Sequence, residues 1–260
     1  MKKYTIIVNK ISKKDEKKII NSLSKYKGFG KMKTKDLNDI HKKLQIDKNI
    51  ILSLRSQYLK NKCIKNLYRI KKKIAKISSD YLNTNILDLS LKYNSSPMLI
   101  FRMLMKNKYP NMKSLKKYKS LDYYDKKQLI LAEKNDIIAP LDQDNNQLKA
   151  DEFENKIEKY LKKNKISFKT EKEIAEEQRE KYGIVKATPD FLLDGPIIIN
   201  NEIVNWIEVK NFYGTNINFL FSKIKKQTDK YYKIWGTGCL VFRYGINEHL
   251  KIKNVCIVSF

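Results

Sequence analysis

The sequence predicts an α/β chain in two parts. Residues 1–138 read as an all-helical region, and residues 148–260 as a mixed sheet flanked by helices. Three observations predict this. Apolar residues recur at three- and four-residue spacing through the first half, as in Leu44, Ile50, Ile51 and Leu54, and again in Leu67, Ile70, Ile74 and Ile77. Short apolar runs of strand length replace that period in the second half. Between the halves, Pro140 to Gln147 is polar and turn-rich and reads as a linker.

Within the first half, Gly28 and Gly30 break the first helical segment and Pro110 interrupts a later one. Ile86 to Tyr93 and Pro97 to Leu104 are two helical runs separated by Asn94-Ser95-Ser96. Ser96 suits an N-cap and Pro97 a first helical position. This is the helix-turn-helix pattern, whose second helix enters the major groove of DNA. Met98, Arg102 and Lys106 are then expected to face DNA, with Ser95 and Ser96 on phosphate. An ordinary hairpin in a helical bundle fits the same pattern.

In the second half, Asp151 to Lys163 is an amphipathic helix with Phe153, Ile157, Tyr160 and Leu161 on its apolar face. Ile166 to Phe168 reads as a short strand and Glu171 to Lys181 as a charged helix or loop. Phe191 to Ile199 and Glu202 to Lys210 are strands joined at Asn200-Asn201, a pair that tolerates the positive φ of a tight turn. A helix from Asn218 to Trp235 and strands at Cys239 to Arg243 and Val255 to Phe260 complete the order.

Composition narrows the class of protein. The net charge is +27, and lysine dominates the basic residues, a skew that an AT-rich coding sequence imposes by itself. The distribution is harder to attribute to coding bias. Residues 1–140 hold 35 basic and 11 acidic residues, against 20 and 17 over residues 141–260. A polyanion-binding first half is expected, with DNA as partner and with Lys71-Lys72-Lys73 and Lys116-Lys117 on its backbone. No apolar stretch approaches the roughly 18 residues of a membrane helix, and the N-terminal run is short for a signal peptide. Cys63, Cys239 and Cys256 are far apart and suggest neither a disulfide framework nor a zinc site. His41 and His249 are isolated. An intracellular protein, nuclear or cytoplasmic and not secreted, is expected.

The chemistry-bearing residues lie in the second half. Asp190 closes Thr188-Pro189-Asp190 and opens a strand, and Glu208-Val209-Lys210 ends the next one. Strand alternation points Glu208 and Lys210 the same way. Mg²⁺, or Mn²⁺ in its place, takes one or two protein carboxylates plus water and substrate oxygens. Asp190 and Glu208 supply the carboxylates, the Val209 carbonyl a third oxygen, and Lys210 a charge to orient a water. Glu154 on the Asp151 helix is a further ligand candidate, ahead of Glu152 and Glu158. Gln227 and Tyr231, at i and i+4, share one helix face and can reach the same phosphate or position Lys210. Each has an ordinary alternative: a turn cap for Asp190, a surface ion pair for Glu208 and Lys210, a solvated glutamine, a core tyrosine.

Asp-Glu-Phe-Glu at 151–154, Ala-Thr-Pro-Asp at 187–190, Asn-Trp-Ile-Glu-Val-Lys at 205–210 and Gln227-x-x-x-Tyr231 together resemble the PD-(D/E)XK nuclease superfamily. More narrowly they resemble its TPD-motif family. The resemblance extends over the Tyr93 to Pro97 turn and back to Leu52-Ser53-Leu54-Arg55-Ser56-Gln57, covering most of residues 45–245. It implies a restriction-endonuclease-like sheet, with Asp190, Glu208 and Lys210 catalytic and Glu154 a further site residue. Val209 departs from the small polar residue expected there, and Gly214 to Ser222 is poorer in His and acidic residues than the family segment. The implied activity is metal-dependent DNA endonuclease, with a likeness to Holliday junction resolvases that points to branched or non-duplex DNA. It also raises a homodimer, since resolvases work as dimers, and a codanin-like protein partner. The alternatives are a catalytically silent nucleic-acid-binding or partner-docking protein on a nuclease fold, and a transcription factor reading DNA through the helix-turn-helix.

Overall fold

The N-terminal residues take part in a β-sheet rather than in the helical region. In the computed structural model, which describes residues 1–110, 121–141 and 144–260, β1 (Lys3–Tyr4) pairs in parallel with Ile198 and Ile199. β2 (Lys10–Ile11) pairs with Ile246 and Asn247. Tyr4, Ile6 and Val8 pack against the sheet's core. The chain thus divides into Met1–Lys17 with Asp144–Phe260, and Lys18–Gln143, the division falling within α1 (Lys13–Leu23). Strands of two residues are too short for a sequence period to reveal, so residues 1–17 read in sequence as the start of the helical region.

The second unit contains α2 (Thr34–Leu44), α3 (Lys48–Lys72), α4 (Ile74–Tyr81), α5 (Ile86–Tyr93), α6 (Pro97–Lys108) and α7 (Tyr123–Lys134). Their ends follow local chemistry. Asp47 caps α3, Asn85 caps α5 and Asp122 caps α7, each side chain accepting a backbone N–H of the first turn. Asn94 ends α5 in the left-handed conformation, φ 51°, which asparagine tolerates. Ile77, Ile86, Leu89, Met98, Phe101, Leu104 and Leu129 form the core. The expected Lys116-Lys117 cluster lies outside the described residues.

In the first unit, α8 (Asp144–Lys163) begins inside the stretch expected to be linker. Asp144 supplies an acidic first turn, and Gln147 Nε2 donates to Asp151 Oδ1 one turn on at 2.7 Å, so these polar residues extend the helix. Phe153, Ile157 and Leu161 bury its inner face against the sheet. β3 (Phe168–Thr170) follows, two residues later than expected, because Lys165 takes φ 52° and Ile166 N–H closes the helix on Leu161. α9 (Glu171–Tyr182) starts at a capping box of Thr170 and Glu173.

β4 (Phe191–Ile199) and β5 (Glu202–Lys210) are antiparallel, joined by Asn200 and Asn201 at φ 49° and 69°. The register slips between Leu192 and Ile197, around Asp194-Gly195-Pro196. That bulge falls in the gap along the other edge of β4, between β3, which pairs with Phe191 to Leu193, and β1. Pro196 therefore sits where a missing N–H breaks no ladder. α10 (Asn218–Trp235) then leads to β6 (Gly238–Phe242), β7 (Ile246–Asn247) and β8 (Val255–Ser259). β6 lies parallel to β5 and β8 parallel to β6, giving a mixed sheet ordered β1-β4-β5-β6-β8 with β3 against β4.

The crossover from α10 to β6 is tight. Trp206 on β5 is fully buried, and its indole N–H donates to Gly236 O at 2.9 Å. A Cβ at Gly238 would stand 2.1 Å from the Trp206 ring. Gly238→Ala is expected to destabilise the protein by about 3 kcal/mol, at the upper end of overpacking costs, read as a lowered urea midpoint.

Candidate active site

The ends of β4 and β5 bring the principal candidate residues together. Asp190 immediately precedes β4, and Phe191 pairs with Ile207, so Asp190 lies beside Glu208 and Val209. One Asp190 oxygen, Oδ2, accepts the Val209 N–H at 2.6 Å. Glu208 is only 4% exposed. Its Oε1 accepts from Lys210 Nζ at 2.5 Å and from Gln227 Nε2 at 2.8 Å. Its other oxygen, Oε2, is buried with no hydrogen-bond partner.

α10 completes the arrangement. Gln227 accepts from Lys210 Nζ through Oε1 at 3.1 Å and donates to the Tyr231 hydroxyl at 2.8 Å. The Tyr231 hydroxyl in turn donates to the Thr188 carbonyl at 2.7 Å, and its ring packs edge-on against Trp206. Burial and the nearby Glu208 charge raise the Tyr231 phenol, so it remains a neutral donor. Its placement as a core tyrosine and as a link in the site are both realised.

Electrostatics mark Asp190. Burial first, and then the Glu208 charge, push its carboxyl up to about 8, against the Val209 N–H and Lys210, which lower it. Glu154 on α8 is raised as well, by burial first and then by Glu171, Asp151 and Glu208. Glu154 and Asp190 thus share one field. Among the described residues, however, no three His, Cys, Asp or Glu side chains are gathered to hold a metal. Glu154, expected as a further ligand, stands close enough for its charge to raise Asp190, while Asp190 and Glu208 form the adjoining pair. A pair suffices for a hard divalent cation. The partnerless Glu208 oxygen beside a carboxyl that resists ionisation fits such an ion, since a cation relieves both. Val209 contributes its N–H to Asp190 and packs its side chain on the core of Phe153 and Ile157.

Two residues at the site, Gln178 and Glu171, carried no signal of their own, and Thr188 was visible only as part of its motif. Gln178 on α9 accepts the Lys186 and Ala187 N–H groups and donates to the Ala187 carbonyl at 2.6 Å, fixing the loop before Thr188. Thr188 donates its hydroxyl to Glu171 Oε1 at 2.9 Å, and Glu171 N–H donates to the Asp190 carbonyl at 3.2 Å. Glu177, Gln178 and their neighbours read only as a charged helix; the Thr of Thr-Pro-Asp was the available clue.

The helix-turn-helix residues are placed differently from expectation. α5 and α6 do form a hairpin, but Pro97, Met98, Ile100, Phe101, Leu104 and Met105 bury α6 in the core of the unit. Ser95, Ser96 and Met98 are fully buried and face no solvent. Ser96 hydroxyl and Met98 N–H both donate to Asp136 Oδ2, so a carboxylate of the chain occupies the anion position at the α6 N-terminus. Arg102 is half-buried, its guanidinium on the Pro140 carbonyl at 3.2 Å, and Lys106 is exposed. Of the five residues expected on DNA, the core therefore claims three.

The profile of the family described as "Protein of unknown function TPD sequence-motif" matches residues 121–259, more than half of the chain. The chain belongs to the TPD-motif family. Its Thr188-Pro189-Asp190, Glu208 and Lys210 all lie in the matched stretch. Over 111 residues, 41% of its length, this TPD-motif chain is 36% identical to Uncharacterized protein L539 of Acanthamoeba polyphaga mimivirus, covering 38% of that protein. Over 77 residues, 30% of its length, it is 32% identical to CDAN1-interacting nuclease 1 of Gallus gallus, covering 28% of that protein. The chain thus spans well under half the length of either relative. No solved structure matches it.

The Asp190 shift has a sign that can be tested. Its folded value lies above the unfolded carboxyl value of about 3.9, so the folded state holds the proton more tightly. That contribution is complete below about pH 4 and is lost as the pH rises through about 8. In metal-free protein, Asp190→Asn should therefore gain thermal stability over wild type between those limits, with the difference flat above them. Each 1 kcal/mol corresponds to roughly 2–4 °C in Tm for a chain of this size. A pH-independent difference between the two melting curves would contradict the buried, charge-repelled carboxyl.

Proposed function

We propose that the chain is a metal-dependent DNA endonuclease that hydrolyses phosphodiester bonds at the Asp190–Glu208–Lys210 corner, on a sheet of the PD-(D/E)XK type. The observation that carries this reading is a buried Glu208, one oxygen of which lacks any donor, beside a half-buried Asp190 and with a lysine held to Glu208. Asp190 and Glu208 would hold Mg²⁺ or Mn²⁺, with the Val209 carbonyl as a further oxygen. When bound, the cation supplies polarisation of a phosphoryl oxygen and a lowered pKa for a bound water.

The chain's own groups do the rest. Lys210 orients the attacking water and offsets the charge that develops on the phosphate. Gln227 holds the Lys210 ammonium and Glu208 Oε1 together, and Tyr231 fixes the glutamine's orientation. Glu154, half-buried and reluctant to ionise, is suited to take up or release a proton near the site.

DNA affinity is assigned to the basic face of α3 and α4 in place of α6. Residues 48–79 contain no Asp or Glu. Lys65, Arg69 and Lys72 are exposed at i, i+4 and i+7, with Tyr68 between them and Lys72 Nζ 4.6 Å from its ring. Such a stripe contacts phosphates without reading bases. Branched or non-duplex DNA and a homodimer are carried over from the resemblance to junction resolvases, and an intracellular location from the cysteine usage. The name of the Gallus gallus relative describes that protein as a nuclease that interacts with CDAN1. A nuclease activity and a codanin-like partner for this chain draw support from that likeness.

A second reading, binding without catalysis, is favoured by the absence of a third gathered carboxylate among the described residues. Labelled duplex, single-stranded, flap and four-way DNA, incubated with and without Mg²⁺ or Mn²⁺, separate the two. Cleavage of at least one substrate that requires metal and falls at least 100-fold in Lys210→Ala and Asp190→Ala, with binding retained, is expected. Binding without cleavage, or cleavage surviving both substitutions, would sink the catalytic reading. Reversing Lys65, Arg69 and Lys72 to Glu should lower the salt slope of DNA binding by about 0.9 for each phosphate that is no longer neutralised. An unchanged slope in a filter-binding titration would place the DNA surface elsewhere.

A further inference from the structure

Beside the Asp190 corner, α9, α10 and β4 enclose a cleft of about 280 Å³, which shares Gln178 and Lys186 with the loop before Thr188. Ile174, Leu192 and Ile234 line it, with Tyr182 and Trp235 as aromatic walls. Tyr182 is 50% exposed, and its ring lies 4.3 Å from Lys186 Nζ and 5.3 Å from Lys181 Nζ. Glu177, the acidic residue of the lining, is bonded to Lys169 at 2.6 Å. Gln178 is committed to the loop backbone. The mouth is therefore cationic and the walls flat and apolar.

The cleft is tied to the candidate site by two routes. Lys186 lies in the loop that ends at Asp190, and Leu192 follows Asp190 by two residues on β4. On α10, Gln227, Tyr231 and Trp235 are successive i+4 neighbours, which puts Trp235 roughly 12 Å along the helix from Gln227. The Tyr231 and Trp235 rings are 6.0 Å apart. A strand lying across the Asp190 corner can reach the cleft with a neighbouring nucleotide.

We infer that this cleft takes an unstacked nucleotide of the DNA strand held at the Asp190–Glu208 site, its base between Tyr182 and Trp235 and its phosphates near Lys181 and Lys186. The inference rests on the nucleic-acid reading of that site and narrows its substrate to DNA with an unpaired nucleotide near the scissile bond. Stacking on aromatic side chains accepts any base and opposes return to the duplex stack.

The test uses the full chain with Ca²⁺ in place of Mg²⁺, and duplexes carrying 2-aminopurine either in a one-nucleotide bulge or fully paired. The bulged probe should show saturable quenching and bind more tightly than the paired one. Tyr182→Ala should weaken the bulged probe about ten-fold and leave the paired duplex within two-fold, while Tyr182→Phe retains wild-type behaviour. Lys186→Ala gives a second variant on an exposed side chain. Equal weakening on both probes, or none on either, overturns the proposal. So does competition by micromolar deoxyadenosine monophosphate, which would make the cleft a free-nucleotide site. Parallel cleavage assays in Mg²⁺ keep the readings apart. A wild type that cuts no DNA but shows the bulge-selective pattern removes the nuclease assignment and leaves the cleft. A wild type that cuts while both variants bind as it does removes only the cleft.

Discussion

Two carboxylates side by side in a mostly buried corner repel each other, and much of the sheet unit can be understood as what makes that tolerable. Burying a charge is costly unless donors surround it. Asp190 receives the Val209 N–H, and Glu208 Oε1 receives Lys210 and Gln227. Those donors exist only if β4 and β5 hold their register, so that Phe191 faces Ile207, and only if α10 crosses the sheet closely enough for Gln227 to reach. The close crossing depends in turn on Trp206 lying against a residue without a side chain at Gly238. A close approach at the far end of the helix thereby sets a hydrogen bond at the site. One oxygen of Glu208 stays without a donor, so the repulsion is reduced but not removed.

The Thr-Pro-Asp run gains a physical meaning from this constraint. Thr188 is tied twice, through its hydroxyl to Glu171 and through its carbonyl to Tyr231. Pro189 fixes its own φ and holds Thr188 in an extended conformation. Asp190 is then delivered at the first position of a strand with little freedom left. Gln178 anchors Lys186 and Ala187, just before the motif, from α9, using all its polar atoms on backbone. The motif is thus two positioning residues and one acid, and the helices on either side grip the first of them, Thr188. Because the same loop forms a wall of the aromatic cleft, whatever enters that cleft presses on the segment that places Asp190.

Much of this was legible in the sequence, for reasons that differ by element. β4, β5 and α10 have the expected bounds because their apolar runs are long and end at Asn-Asn or Gly. The pairing of Asp190 with Glu208 and Lys210, and of Gln227 with Tyr231, followed from strand alternation and helical spacing. Glu154 was expected beside the pair from its place next to Phe153 and Ile157, which bury its helix, and its charge is felt at Asp190. The N-terminal strands escaped notice because their pairing is long-range: Lys3 meets Ile198, and Lys10 meets Ile246. No local period records a partner so distant. Gln178 was invisible for the same reason, as its partners are loop amides that only the fold brings to it.

The helix-turn-helix pattern shows where local signals mislead. Ser96 and Pro97 begin a helix as their types predict, yet the same capping chemistry serves an internal acid, Asp136, and not a phosphate. A helix N-terminus whose donors are already filled by a carboxylate of its own chain no longer has the feature that attracts an anion. An apolar helix such as α6 is more useful as the centre of a bundle than as a reader of bases, and Phe101 and Leu104 put it there. The basic excess remains after this correction. Residues 18–143 hold 29 basic and 10 acidic residues, and an exposed basic run follows α3 into α4, with no acid between Lys48 and Ser79. Charge without base-reading side chains favours recognition of backbone and shape over sequence. That suits the proposed nucleotide cleft, whose aromatic walls would accept a base of any identity, because selection would then come from whether a nucleotide is free to leave the stack.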